Sequence, residues 1–167
     1  MIHHSLLPGS PLEPAQPGVA FESYAKPREG EAVIVKHVNS AFIGTPLEAW
    51  LRERGIGRLV VAGLTTDYCV STSVRMAANL GVVDRESECS SDGKGQGLDD
   101  GVEGTVGGKR VGKVDKGEII LVGDATAAHA KGEFDAEMVQ KVHLASLDGE
   151  FARVVAVRDV LGEMGGW

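Results

Sequence analysis

The sequence predicts an α/β fold built on a mainly parallel sheet, and three stretches carry that prediction. An apolar run at 59–62 passes through a polar turn into a small-residue helix that stops at Gly81. A β-branched run at 32–37 precedes it, with a helix between the two. A third apolar run, 118–123, is followed by a helix and by a last run at 154–157. Strands that alternate with helices make βαβ units, and those units align their strands in parallel.

Bulk properties narrow the function classes. At 167 residues the chain suits one domain with a core of useful size. Its 43% hydrophobic content and mean hydropathy of −0.03 describe a soluble globular protein. A net charge of −7 and a pI near 5.2 argue against electrostatic binding of nucleic acid or an anionic membrane, because both need a concentrated basic face. Cys69 and Cys89 are too few for a disulfide framework, so a reducing, cytoplasmic setting is the simpler reading. The first eight residues lack the apolar centre of a signal peptide, and no window approaches a membrane span.

Residues 1–31 hold five of the six prolines and show neither a helical nor a strand period, which predicts an extended Pro-rich arm. His3 and His4 could be metal ligands or substrate contacts, but paired histidines beside a start methionine read as solvated, and no metal site is expected. Residues 32–37 then predict a strand with Lys36 at its carboxyl end. In open α/β sheets the ligand crevice lies outside the carboxyl ends of the strands. Thr45, Pro46 and Glu48 fit an N-cap, a first helical position and a capping-box partner. Leu47, Trp50 and Leu51 supply that helix's apolar face, and Gly55 or Gly57 ends it. With the run at 59–62 this makes a βαβ unit with a right-handed crossover. Lys36 and the turn after the second strand would then open into one crevice.

Cys69 sits at the mouth of the helix that reaches Leu80. The first N–H groups of a helix are unpaired and its amino end is partially positive, which favours a thiolate over a thiol. Those N–H groups could also hold an oxyanion when a carbonyl is attacked. A neighbouring Lys36 ammonium would add to the first effect and could exchange protons with the sulfur. The plain alternatives are a small buried cysteine and an exposed, salt-bridged lysine. Val70, Val74, Ala77 and Ala78 give the helix a narrow inward face, with Arg75 and Asn79 expected in water.

Residues 84–117 contain nine glycines and fourteen charged residues, too little apolar surface to offset the entropy of ordering them. A flexible, disordered insertion is expected there. Its glycine clusters around Gly93 and Gly107 neither follow a strand nor open a helix, so they are not read as nucleotide loops. Residues 118–123 form the third strand, leading to Asp124-Ala125-Thr126-Ala127. Phe134, Met138, Val142 and Ala145 recur at helical spacing and predict a helix over 135–147. Residues 154–157 read as an edge strand, and His129 and His143 as ordinary core or surface histidines.

The residues so assembled resemble the isochorismatase-like cysteine hydrolases, a superfamily with nicotinamidases, N-carbamoylsarcosine amidases and ureidoacrylate or maleamate amidohydrolases among its members. The resemblance lies in Val35-Lys36, Asn39-Ser40-Ala41-Phe42 and Gly44-Thr45, then in Gly63-Leu64-Thr65-Thr66-Asp67-Tyr68-Cys69-Val70. It continues in Gly123-Asp124-Ala125-Thr126-Ala127, Phe134-Asp135-Ala136-Glu137, Ser146-Leu147 and Gly149-Glu150-Phe151-Ala152, in order over residues 30–83 and 118–157. It implies a three-layer, Rossmann-like α/β/α fold and an Asp-Lys-Cys triad, with Cys69 as nucleophile and Lys36 assisting proton transfer. It implies as well a cis peptide at Leu64–Thr65 that aims the N–H groups of Thr65 and Cys69 into an oxyanion hole. Phe42 and Tyr68, inside the matched motifs, are the substrate-pocket candidates, and no cofactor is implied. In the family the sulfur attacks an amide or related carbonyl, an amine or ammonia leaves, and water releases the acid.

Two departures shape the expectations. The family plan begins with a strand ending in the triad aspartate and a further βα unit, whereas this sequence starts in the middle of that plan. Asp67 matches the motif aspartate beside the cysteine and not the triad member. Exposed apolar sheet edges and slow turnover are therefore expected. Three readings result: hydrolysis of a small-molecule amide or related C–N bond, isochorismatase-type vinyl ether hydrolysis, and a non-catalytic remnant that binds a metabolite or pairs with intact family members. The expected partner is a small molecule, without nucleic acid or membrane, and a homo-oligomer is compatible with each reading.

Overall fold

The computed structural model describes residues 1–86, 105–106, 109–110, 114–163 and 165. Strands β1 (Ile2–His3) and β2 (Val35–Lys36) come first, then α1 (Leu47–Glu53) and β3 (Arg58–Leu64). A π-helical turn at Thr66–Val70 leads into α2 (Ser71–Leu80). Four short strands come next: β4 (Arg85–Glu86), β5 (Thr105–Val106), β6 (Lys109–Arg110) and β7 (Val114–Asp115). The chain ends with β8 (Glu118–Ala127), α3 (Ala136–Ala145), β9 (Arg153–Val155) and α4 (Val157–Glu163). Parallel strands joined by helices make the fold α/β.

The long strand β8 is central because it is the most apolar. Ile120 and Leu121 are almost fully buried, and β8 pairs in parallel with β3 on one side and β9 on the other, in the order β3-β8-β9. Against this sheet pack Leu51 of α1, Val74 and Ala77 of α2, then Val82, Val83 and Leu147, in one cluster with Ile119 and Leu121. The small side chains of α2 make its inward face narrow, as the sequence predicts. Gly81 ends that helix in the left-handed conformation, with φ of +57°.

Several elements differ from expectation for identifiable reasons. Within 32–37 only Val35–Lys36 joins a ladder, and its partner is Ile2–His3, at the start of an arm whose sequence predicts no pairing. Two residues are too few to show a period. The expected βαβ unit is split: β2 and β3 lie in different sheets. Between them an apolar slot of about 450 Å³ is lined by Met1, Ile34, Phe42, Trp50, Val60 and Ala62, among others. At α1, Thr45 Oγ1 accepts the Leu47 N–H at 3.3 Å, but Glu48 pairs with Arg52 in place of closing the box. Arg75 does not point into water; it donates to Ser146 and stacks on the Phe151 ring at 4.3 Å. Phe134, Met138 and Val142 are more than half exposed, and Val139 is the buried residue of α3. The spacing that revealed that helix thus marks its outer face.

Part of the 84–117 stretch is ordered by backbone pairing, which needs no apolar core. There β4 runs antiparallel to β7 and β5 to β6. Cys89, the expected mobility of the remaining stretch and most of its glycine clusters lie outside the described residues. No helix among the described residues is long and apolar enough to cross a membrane.

Candidate active site

Beyond the carboxyl end of β3 the chain turns sharply. The Leu64–Thr65 peptide is cis, and the Thr65 carbonyl accepts the N–H groups of Tyr68 and Val70 at 3.2 Å each. Cys69 falls inside the resulting π-helical turn, just ahead of α2. Two polar contacts anchor this turn to the end of β8 and the chain that follows it. Thr66, fully buried, donates through Oγ1 to Gln140 Oε1 at 2.5 Å. The Gln140 amide nitrogen in turn donates to Thr126 Oγ1 at 2.9 Å and to the Gly123 and Thr126 carbonyls at 3.2 and 3.3 Å. The turn is thereby tied to the end of β8 and to α3.

The Asp67 side chain, 1% exposed, makes the second contact through an ion pair with Lys131 at 2.5 Å. Lys131 also lies 3.7 Å from the centre of the Tyr68 ring, a cation–π contact. Burial works to raise the pKa of the Asp67 carboxyl, but the Lys131 hydrogen bond and the residue's own backbone N–H outweigh it and hold the pKa below the ordinary carboxylate value. The same hydrogen bond raises the pKa of Lys131.

Lys36 enters from β2 and is 5% exposed. A buried ammonium needs acceptors. It has three: the Val38 carbonyl at 2.8 Å, the Asn39 carbonyl at 3.0 Å and Cys69 Sγ at 3.1 Å. Asn39 Oδ1 lies 3.7 Å from the sulfur and His3 Nδ1 3.8 Å from it. A cleft of about 200 Å³ opens over this group, lined by His3, Lys36, Leu64, Cys69 and Ser73 among others. A cysteine sulfur beside an ammonium, at the edge of a cleft, is placed to attack an electrophilic carbon.

Lys36 and Cys69, singled out from sequence, thus meet. Thr65 stands at the cis peptide of the same turn. Phe42 and Tyr68 are placed elsewhere: Phe42 is 9% exposed and lines the apolar slot, and Tyr68, half exposed, lies against Lys131 outside the cleft. No carboxylate lines the cleft among its described residues, and none of the described residues form a group of three or more His, Cys, Asp and Glu arranged to hold a metal. Sequence reasoning sets His3 aside as solvated, names Asn39 only within a matched motif and without a role, and passes over Gln140. Only the ladder register, which puts His3 opposite Lys36, could have flagged the histidine.

Comparison with known proteins gives concordant matches. The sequence profile of the isochorismatase domain family fits residues 5–85. The uncharacterized isochorismatase family protein YrdC of Bacillus subtilis (strain 168) is 31% identical over 166 residues, spanning 96% of this chain and 70% of YrdC. Ureidoacrylate amidohydrolase RutB of Klebsiella pneumoniae is 45% identical over 49 residues, 29% of this chain and 21% of RutB. Among solved structures, an isochorismatase-family protein from Chromobacterium violaceum ATCC 12472 matches with a TM-score of 0.71 and 35% identity, over 98% of this chain and 69% of that one. A cysteine hydrolase from Pseudomonas syringae pv. phaseolicola 1448A shares the fold, with a TM-score of 0.67 at 20% identity over 92% of this chain and 58% of its own.

Proposed function

The chain belongs to the isochorismatase family, whose members are hydrolases, and from that premise we propose that it hydrolyses a C–N bond of a small amide through Cys69. The observation that carries this reading is the 3.1 Å contact between the buried Lys36 ammonium and Cys69 Sγ. In this reading Lys36 stabilises the thiolate, the sulfur attacks the amide carbonyl, and the N–H groups of Thr65 and Cys69 take up the charge on the oxygen. The C–N bond then breaks to leave a thioester, which water cleaves to the acid. Ureidoacrylate, the substrate named for RutB, and nicotinamide are suitable first substrates, since both are small amides.

The test is ammonia release from a panel holding these two and several N-carbamoyl amino acids, with mass analysis of the Cys69 peptide after rapid quenching. Release that disappears in Cys69→Ala, with an acyl adduct on Cys69 in the wild type, is the expected result. Release unaffected by Cys69→Ala would overturn the reading. So would a Cys69 that fails to acylate even with the activated ester p-nitrophenyl acetate.

A further inference from the structure

The hydrogen bonds of Lys36 leave it unable to serve as the base for Cys69. An ammonium has three hydrogens, and in Lys36 they face the Val38 carbonyl, the Asn39 carbonyl and Cys69 Sγ. So engaged, it can steady a thiolate but cannot accept the thiol proton. Asn39 Oδ1, 3.7 Å from the sulfur, accepts hydrogen bonds but is not a base. The described residues lining the cleft include no carboxylate. Within reach of the sulfur there is, however, an imidazole: His3 Nδ1 at 3.8 Å.

That imidazole is held in place by its backbone. In the β1–β2 ladder His3 stands opposite Lys36, the Ile2 N–H donates to the Ile34 carbonyl at 2.9 Å, and the His4 N–H donates to the Lys36 carbonyl at 2.9 Å. Both flanks of His3 are thus tied to the strand that delivers the lysine. The His37 ring takes a different direction, with Nδ1 2.9 Å from the His4 carbonyl.

We propose that His3 is the general base and acid of this site, moving the protons that Cys69 chemistry requires; the proposal rests on the reading of Cys69 as nucleophile. His3 Nδ1 takes the proton from Sγ as the sulfur pair forms the S–C bond and the carbonyl π pair moves to oxygen. On collapse the C–N bond breaks and the nitrogen leaves with the proton from Nδ1. Water then gives a proton to Nδ1 as its oxygen bonds to the acyl carbon. The S–C bond breaks, and the proton returns to the sulfur. The sum is amide plus water to acid plus amine.

The surroundings favour the neutral imidazole. Burial lowers the pKa of His3 below its ordinary value, the Lys36 charge adds to this, and His37 and His4 act in the same direction. A backbone hydrogen bond at His37 opposes them without reversing the outcome.

The test is the hydrolysis of p-nitrophenyl acetate by the full chain, measured as an acylation burst and a slower steady state. An activated ester can be attacked by the thiolate unaided, so His3→Gln should retain the burst. Its deacylation should slow by about 100-fold or more, the usual span for general base catalysis. The step that the wild-type steady state shows across the imidazole titration should vanish, and free imidazole should restore turnover to His3→Ala. The neighbouring His4→Gln should keep the deacylation rate of the wild type above the imidazole titration. Deacylation of a folded His3→Gln at the wild-type rate with an unchanged pH profile would overturn the proposal while leaving the cysteine reading intact. So would a slow His3→Ala that imidazole does not rescue. A burst missing from the wild type, or surviving in Cys69→Ala, would overturn both, and differs from the first two results in the acylation phase itself.

Discussion

Lys36 is the only side chain that joins the strand β2 to the cysteine by a short polar contact among the described residues, and its removal should be felt twice. Lys36→Met removes the ammonium's hydrogen bonds to the Val38 and Asn39 carbonyls, which should lower stability by about 1.5–3 kcal/mol in urea titration, the scale of hydrogen bonds to a charged group. It also removes the positive charge 3.1 Å from Sγ, so alkylation of Cys69 by iodoacetamide at neutral pH should be slower than in the wild type. A Lys36→Met chain alkylated as fast as the wild type would show that the ammonium does not govern the sulfur. The pair was legible in the sequence because each residue lies at or after the carboxyl end of an apolar run, although the βαβ unit expected to bring them together is split between two sheets. His3 was not legible, because its position depends on a ladder of two residues with no pattern of its own.

At the scale of elements, the Asp67–Lys131 ion pair fastens the cysteine turn to the segment between β8 and α3. The folded-state pKa of Asp67 lies below the ordinary value of 3.8, so the charged carboxylate is favoured by folding. Its contribution is therefore fully present above that ordinary value and is lost as pH falls through the lower folded one. Asp67→Asn should cost about 2 kcal/mol at neutral pH, the scale of a hydrogen bond to a charged group, and the gap to the wild type should close as melts are repeated toward pH ~3. A gap that persists in acid would place the effect in packing. The helices were legible from spacing and end signals, and Gly81 does stop α2, but α1 starts one residue later than its signals suggest: Pro46 and not Thr45 stands at the N-cap, although Thr45 Oγ1 still meets the Leu47 N–H. Which face of a helix turns inward was less so. The spacing of Phe134, Met138 and Val142 is that of a buried stripe, yet Val139 holds the buried position because the sheet lies on its side.

In the molecule as a whole, stability is concentrated around β8. Its amides at Leu121 and Val122 belong to a strand paired on both sides and backed by α2, whereas Val35 and Lys36 belong to a two-stranded sheet. Native-state hydrogen exchange should find the first pair slowest and the second markedly faster, since local opening tracks the number of buried contacts that must break. Equal rates would mean that the two sheets open as one unit. The α/β class was legible from alternating runs and helices. The apolar slot separating β2 from β3 was not, because a strand's hydrophobicity does not say which neighbour it pairs with. The antiparallel pairing of β4 with β7 carries a consequence of another kind. It brings together the two ends of the 87–113 segment beside the Glu118 N–H and Gly57 carbonyl contact, at the amino ends of β3 and β8. Cys69 lies past the opposite end of β3. Substitutions or labels placed on β4 or β7 therefore sit at that border, away from Cys69, and should leave the reactive pole as it is.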